Sequence, residues 1–246
     1  MVHFVGAGPG AEDLITIRGM KLLETADVII YAGSLVNPGL LNYAKPDCGI
    51  YNSAEMTLDE VIDVIQRYKD NKIVRLHTGD PSLYGAIREQ MDRLDKLEIE
   101  YDVCPGVSSF FGAAAALRKE YTLPDVSQTV IITRVAGKTP VPERESVRSL
   151  ASHGATMVFF LSAGLVETIS RELIEGGYRP DTKAAIVYKA TWPDERIVHG
   201  TVETLPQIME GITKTALVVV GDFLGDDYTL SRLYAPDFST EYREAK

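Results

Sequence analysis

The sequence has very few of the residues that build disulfide frameworks or zinc sites. Its 246 residues include two cysteines and four histidines, and these are scattered instead of standing at metal-ligand spacing. No apolar run is long enough to span a bilayer, and we expect no signal peptide because a strand-like run begins almost at the first residue. These absences argue against disulfide-stapled, zinc-dependent and membrane-embedded proteins. They favour a cytoplasmic protein without a metal or a membrane partner.

Positive charge is also scarce, since 25 lysines and arginines face 35 acidic residues and the formal net charge is −10. A nucleic-acid partner is not expected, because neutralising phosphates requires a basic surface. A small polyanion is still compatible with this charge, because screening over about 8–10 Å hides distant acids from a local group of cations. The candidate cations near the turns are Arg18, Lys21, Arg75, Arg88, Arg118 and Arg134, and for each of them a place on the solvated surface is favoured over a contact with the anion.

Strand-like apolar runs alternate with amphipathic stretches along the chain, which is typical of an α/β protein. The predicted strands are 3–5, 28–31, 73–76, 101–103, 129–133, 156–161, 184–188, 198–202 and 216–220. The predicted helices are 17–26 with Thr16 as N-cap, 57–69, 86–97, 166–175 and a buried one over 110–119. A polar break over 118–125 predicts two α/β domains, residues 1–120 and 121–246. The residues after Gly225 are expected to form a loosely attached tail.

The most informative motif is the glycine-rich turn that closes the first strand, Val5-Gly6-Ala7-Gly8-Pro9-Gly10. With Ala11 it satisfies G-x-G-x-x-G/A, the phosphate-binding turn of dinucleotide folds. Three features argue against that interpretation: the next helix starts late, two acids (Glu12 and Asp13) follow the turn, and no acid ends the second strand. The alternatives are a turn without a ligand and a bare loop on which another flat ligand lies against backbone.

Two further glycine turns each follow a strand and precede a helix, Gly79-Asp80-Pro81 and Pro105-Gly106-Val107-Ser108. Asp80 is suited either to accept hydrogen bonds from a ligand or to cap the next helix, and Ser108 and Ser109 have the same two options. Because carboxyl ends of parallel strands meet at one sheet edge, the three turns predict a shared cleft. No nucleophile elbow or P-loop is present, so no catalytic residue is assigned. The only tryptophan, Trp192, lies in a loop and suits either a ligand platform or the plug of a domain or subunit interface.

Together these motifs resemble the tetrapyrrole methylases, the corrin and porphyrin C-methyltransferases that use S-adenosylmethionine. The resemblance runs from residue 5 to about residue 224. Within the family, the segments 31–36, 56–60 and 77–90 look like the branch that methylates C-11 of precorrin-4 or cobalt-precorrin-4. Many relatives have aspartate where this chain has Ala11, so no catalytic role is carried over to that position.

The resemblance implies a class III methyltransferase with two α/β domains and a ligand trough between them, acting as a homodimer. S-adenosylmethionine would be the cofactor, S-adenosylhomocysteine its product and a tetrapyrrole the substrate. The implied cofactor contacts are Pro9, Thr78, Gly79, Asp80, Leu83, Ser108, Ser109, Leu161, Tyr188 and Ala216. The implied substrate contacts are Gly8, Gly10, Arg18 and Ser34.

Other functions fit parts of the same pattern. Within the family, the methyl group could go to another position, on uroporphyrinogen III, precorrin-2 or precorrin-3, or the chain could be a diphthine synthase or a ribosomal-RNA methyltransferase. The acidic charge disfavours the RNA enzyme. From other classes, a nicotinamide-dependent oxidoreductase and a non-catalytic ligand-binding protein stay open.

Overall fold

The computed structural model describes residues 1–209 and 211–245, and the chain divides into two compact units. The first unit holds residues 1–113 together with 189–195, and the second holds residues 114–188 and the chain from 196 onward. A seven-residue segment from the second half therefore belongs to the unit that contains the N-terminus. The predicted division at 120 and 121 stays a prediction.

The first unit is built on a five-stranded sheet in the order β3-β2-β4-β1-β5, in which every pair of neighbours is parallel. Its strands are β1 Val2–Gly6, β2 Val28–Tyr31, β3 Gly49–Asn52, β4 Ile73–His77 and β5 Tyr101–Cys104. Its helices are α1 Ile17–Glu24, α2 Leu58–Arg67 and α3 Ile87–Lys96, and α4 Ser109–Leu117 runs across the division at 113 and 114.

Both faces of this sheet are buried, which explains why its strands are continuous apolar runs. One face packs against Val61, Ile65 and Leu94 of α2 and α3, and the other packs against Leu23 of α1 and Leu40. Helix starts follow from local chemistry, since α1 and α2 each begin directly after a threonine whose hydroxyl accepts a backbone N–H one turn ahead. The carboxyl ends of β4, β1 and β5 lie side by side at one edge.

The second unit contains a mixed five-stranded sheet in the order β6-β7-β10-β8-β9, in which only β6 and β7 are parallel. Its strands are β6 Val130–Thr133, β7 Thr156–Phe159, β8 Lys183–Tyr188, β9 Arg196–Thr201 and β10 Ala216–Val220. Its helices are α5 Val147–Ala151, α6 Val166–Glu175 and α7 Leu205–Ile208. Phe159, Ile169 and Leu173 are central to its single apolar cluster. The α/β fold class is thus confirmed.

Two local expectations differ from the structure. The prediction omits β3, an edge strand whose Ile50 is 47% exposed, because a half-exposed edge carries no apolar run. The expectation that the alanine-rich helix is buried is wrong, since Phe111 in α4 is 57% exposed. The tail after Gly225 is mostly exposed, Lys119 contacts only its start at Gly225 and Asp226, and the carbonyls to which Arg243 donates lie within the tail, so its loose attachment stays a prediction.

Candidate functional site

The three glycine turns meet at the carboxyl edge of the first sheet, as the strand order β4-β1-β5 requires. Gly8 and Gly79 exchange two backbone hydrogen bonds of 3.2 and 2.8 Å, and Ala7 N donates to the His77 carbonyl at 2.7 Å. Gly8 and Gly79 have φ values of +80° and +60°, a backbone conformation that residues with a side chain rarely adopt. The first two turns are therefore joined by a short backbone ladder that depends on glycine.

The third turn presses against the other two at backbone distance. A Cβ added to Gly6 would lie 2.6 Å from both Gly106 Cα and the Gly79 carbonyl oxygen. One added to Gly106 would lie 2.2 Å from that same oxygen, and one added to Gly79 would reach Ser108 and Ser109 at 3.4–3.5 Å. The predicted meeting of the three turns is thus present as close backbone packing.

Asp80 ties the second and third turns together through its carboxylate. Oδ1 accepts from Ser82 N and Oδ2 accepts from Gly106 N, both at 2.8 Å. The alternative that Asp80 caps the next helix is wrong, because α3 begins at Ile87 after Ala86, which has left-handed backbone angles. A cofactor contact of Asp80 stays a prediction.

The opening turn is not equipped to hold a pyrophosphate. Its amides are already used: Ala7 and Gly8 donate within the backbone ladder, and Ala11 N donates to Thr191 Oγ1 at 2.9 Å. Pro9 has no N–H, which leaves at most the amide of Gly10 for a ligand. The late helix start is confirmed, since Thr16 caps α1 by accepting from Gly19 N at 3.1 Å. A phosphate cradle needs a row of free amides at a helix start, so these contacts argue against the nicotinamide alternative.

Residues from three other segments contact this turn. Trp192 Nε1 donates to the Pro9 carbonyl at 3.1 Å, and its ring lies where a side chain on Gly10 would stand. Asn37 Nδ2 donates to the Gly10 carbonyl at 2.8 Å. Gly112 in α4 lies against the Pro9 ring. Asn37 and Thr191 were not predicted as site residues, and the only sequence signal for this cluster was the lone tryptophan.

Two basic side chains are buried beneath the second turn. Arg75 is 7% exposed, and its Nε and Nη1 donate to Gln90 Oε1 and the Ile30 carbonyl at 3.1 Å each. Burial lowers the Arg75 pKa to about 10, and burial together with the Arg75 charge lowers the His77 pKa to about 3. His77 is therefore neutral at physiological pH, and its Nε2 has no hydrogen-bond partner. Both sequence-based placements of Arg75, on the surface or against a substrate, are wrong: it is a core residue.

The other candidate cations have separate local surroundings. Arg18, Lys21 and Lys72 line an open 470 Å³ groove along α1. Lys72 directly precedes β4, so it lies at the sheet edge opposite to the one that carries the glycine turns. Arg88 pairs with Asp92, Arg134 donates to nearby carbonyls, and Arg118 is exposed with φ at +53°. Arg18 is thus accessible to an anionic ligand in the groove, although its substrate contact stays a prediction.

The remaining predicted contacts of the first unit lie at the edge with the turns. Thr78 and Leu83 belong to the second turn and are half-buried. Ser108 is buried, and Ser109 is the first residue of α4. Ser34 is exposed in the single helical turn after β2, the strand next to β4. Among the residues that the structure describes, no group of three His, Cys, Asp or Glu could hold a metal, and no helix could cross a membrane.

Three predicted residues lie in the second unit and share one edge of its sheet. Tyr188 ends β8 and pairs with Ala216, the first residue of β10. Leu161 lies two residues beyond β7 at the same edge, with φ at +52° and 68% of its surface exposed. An exposed leucine in left-handed conformation is costly, and such strain concentrates at ligand sites. The Arg196 guanidinium lies 4.8 Å from the Tyr188 ring.

Comparisons with known proteins agree with this geometry. The family model for tetrapyrrole (corrin/porphyrin) methylases matches residues 1–206. The chain is 54% identical to the cobalt-precorrin-4 C(11)-methyltransferase of Methanocaldococcus jannaschii, over 99% of this chain and 96% of that protein. The X-ray structure of a cobalt precorrin-4 methyltransferase matches with a TM-score of 0.89 and 45% identity, covering 91% of this chain and 95% of that one. The uroporphyrin-III C-methyltransferase of Thermus thermophilus in complex with S-adenosyl homocysteine matches with a TM-score of 0.76 and 26% identity, covering 91% and 92%.

Proposed function

Because this chain belongs to the tetrapyrrole (corrin/porphyrin) methylases, we propose that it methylates C-11 of precorrin-4 or cobalt-precorrin-4 in cobalamin biosynthesis. The observation that carries the proposal is the end-to-end match to a relative with that named activity. The chain is accordingly an S-adenosylmethionine-dependent methyltransferase. The residues that the family resemblance implies as cofactor contacts are proposed to bind S-adenosylmethionine. Those that it implies as substrate contacts are proposed to bind the tetrapyrrole.

The described residues fit a methyl donor of this kind. S-adenosylmethionine has no phosphate, so it needs no row of free amides, and the opening turn offers at most one. An exposed apolar side chain, Leu161, is available in the second unit for an adenine face. When bound, the sulfonium supplies a methyl group already activated for transfer to an electron-rich carbon.

The chain's own contribution is alignment. The interlocked turns hold Gly8, Gly10 and Asp80 in fixed positions, which suits them to orient two bound molecules for an in-line transfer. Fixing two reactants in this way can remove up to about 7–11 kcal/mol from a bimolecular barrier. Excluding water from the developing charges adds to this effect. Such catalysis needs no nucleophile, which agrees with a chain in which no nucleophilic motif was found.

The test is to incubate the purified protein with S-adenosylmethionine and either precorrin-4 or cobalt-precorrin-4. The expected product has gained one methyl group, which carbon-13 labelling of the donor places at C-11. A methyl group at another ring position would assign the chain to a different tetrapyrrole step. No methyl gain on either acceptor, with S-adenosylhomocysteine binding confirmed by calorimetry, would contradict the proposal.

We further infer a cytoplasmic homodimer. Exposed apolar side chains support an interface, since Phe111 in α4 is 57% exposed, and Leu230 and Tyr234 in the tail are 75% and 81% exposed. Large apolar groups on a surface commonly mark a contact with another chain. Sedimentation equilibrium should give twice the chain mass, and a monomer at micromolar concentration would contradict the dimer.

A further inference from the structure

Residues 189–195, here called the strap, are fixed to the opening turn by two hydrogen bonds and a ring contact. Trp192 Nε1 donates to the Pro9 carbonyl, and Thr191 Oγ1 accepts from Ala11 N. A Cβ on Gly10 would lie 2.1 Å from Trp192 Cδ1 and 2.9 Å from the Ala190 carbonyl oxygen. The strap therefore covers Gly10 so closely that no residue with a side chain fits there.

The strap has an unfavourable backbone conformation that is stabilised by hydrogen bonds and an ion pair within the strap. Lys189 and Thr191 have φ values of +47° and +70°, and such values are rare for a β-branched residue like threonine. Thr191 N donates to Glu195 Oε2 at 2.6 Å, and Lys189 Nζ pairs with Asp194 Oδ2 at 2.6 Å. Trp192 N also donates to the Lys189 carbonyl at 3.0 Å. Strain persists only where the surroundings enforce it, and it concentrates at functional positions.

The strap contacts the part of the turn that lies between the two predicted ligand sets. Pro9 is a predicted cofactor contact, whereas Gly10 is a predicted substrate contact. The carbonyls of these two residues accept hydrogen bonds from Trp192 and Asn37, respectively. With both carbonyls and the Ala11 amide fixed, the peptide planes of the turn cannot rotate. A flat acceptor thus meets a surface of predetermined shape.

We propose that Trp192 and Thr191 are positioning residues that set the shape of the opening turn for the tetrapyrrole. They contact the turn and not the reacting atoms, and this inference rests on the proposed function. Losing either hydrogen bond lets the turn sample other peptide orientations. The acceptor then has to select the competent one, which raises the apparent KM. The Thr191 bond goes to Ala11, which belongs to neither ligand set, and the methyl donor contacts on the second and third turns are unaffected, so loss of this bond should leave the affinity for S-adenosylhomocysteine unchanged.

The sharpest test uses Thr191, because its variants leave the fluorescence of the sole tryptophan available. Thr191→Val keeps the branched shape but removes the oxygen that accepts from Ala11 N, and Thr191→Ser keeps that oxygen. We expect Thr191→Val to raise KM for the tetrapyrrole roughly tenfold, with the S-adenosylhomocysteine Kd within twofold of wild type. Thr191→Ser should restore a near wild-type KM. Trp192→Phe, which retains a ring but lacks the N–H, should raise the KM for the tetrapyrrole as Thr191→Val does, and it should also weaken S-adenosylhomocysteine binding because Pro9 is a predicted cofactor contact.

The control is Tyr242→Phe, an aromatic change on a side chain in the tail that is 91% exposed. If turnover of a Thr191 variant is too slow to give a KM, the Kd for cobalt-precorrin-4 can be measured without methyl donor from the quenching of Trp192 fluorescence. A lowered Tm with unchanged KM and unchanged tetrapyrrole Kd would show that the strap is only structural and would overturn the inference. If the wild-type protein transfers no methyl group, the proposed function fails instead, whatever the variants do.

Discussion

Replacing Gly106 by alanine should disturb the meeting point of all three turns. The added Cβ would lie 2.2 Å from the Gly79 carbonyl oxygen and 2.7 Å from Gly6 Cα, both of them backbone atoms. Carbon atoms of this kind do not approach closer than 3.0 Å, so the second and third turns must separate by about 0.8 Å. Rotating a side chain cannot relieve the clash, because no side chain is involved.

The cost follows from the contacts that such a separation breaks. Overpacking a well-packed site costs about 1–3 kcal/mol. Weakening the bond from Gly106 N to Asp80 adds about 1.5–3 kcal/mol, the usual value for a hydrogen bond to a charged group. We expect the free energy of unfolding to fall by about 2.5–6 kcal/mol and the Tm by roughly 5–24 °C.

Scanning calorimetry and urea denaturation followed by circular dichroism measure these changes. The matched control is Gly164→Ala, where the nearest atom to an added Cβ is the Thr213 carbonyl oxygen at 3.8 Å. That variant should be unchanged or stabilised by up to about 1 kcal/mol, because alanine has fewer unfolded conformations. S-adenosylhomocysteine affinity should fall only for the Gly106 variant. Equal stability and equal affinity in the two variants would refute the interlocked-turn argument.

Three further changes test other parts of the structure. Asp80→Asn places an amide N–H against one of the two backbone N–H groups that the carboxylate now accepts from, so it should lower the free energy of unfolding by about 1–3 kcal/mol in urea denaturation. The exposed control Asp92→Asn should change the free energy of unfolding by less than about 0.5 kcal/mol. Similar losses in the two variants would count against the link that Asp80 makes between the turns. As the pH falls, the unfolded chain protonates His77 before the folded chain does, because folding lowers the His77 pKa to about 3. The stability that neutral His77 contributes is therefore fully present above pH 6.5 and is lost as the pH falls toward about 3. His77→Phe should therefore reduce the slope of unfolding free energy against pH between 6 and 4 by about 1.4 kcal/mol per pH unit, and parallel curves would contradict a buried neutral histidine. Thr16→Ala removes the N-cap of α1 and should cost about 0.5–2 kcal/mol, with Thr16→Ser as the conservative comparison; an alanine variant as stable as wild type would show that the cap contributes nothing.

Local signals in the sequence were sufficient for most of the architecture. Buried parallel strands such as β1 and β4 are short apolar runs bounded by turns, and they need no tertiary information to be found. The start of α1 followed from one threonine and the helical spacing behind it. The prediction was poorest for β3 and α4, where exposure cannot be inferred from residue type. An edge strand lacks the apolar run by which buried strands are recognised. An alanine-rich helix has no polar face, so its sequence does not indicate which of its faces are buried.

The site was only half predictable for a related reason. That three turns follow adjacent strands could be anticipated from the order of motifs, and their meeting is confirmed. How they meet depends on backbone packing of glycines, which leave no distinguishing pattern in the sequence. Arg75 was misplaced because an arginine within a strand is usually exposed. Its burial is stabilised by Gln90 and a strand carbonyl, and neither partner could be identified from spacing alone.

The position of the strap in the chain has a consequence for the protein's synthesis. Pro9 and Trp192 are separated by 183 positions. At about 5–20 residues per second, a ribosome delivers the tryptophan roughly 10–40 s after the proline. Throughout that interval the first glycine turn has neither Trp192 nor Thr191, and β5, the last strand of the first sheet, is made about halfway through it. An early segment is therefore completed late, and a chain released between residues 104 and 192 would retain the five strands of that sheet without a finished opening turn.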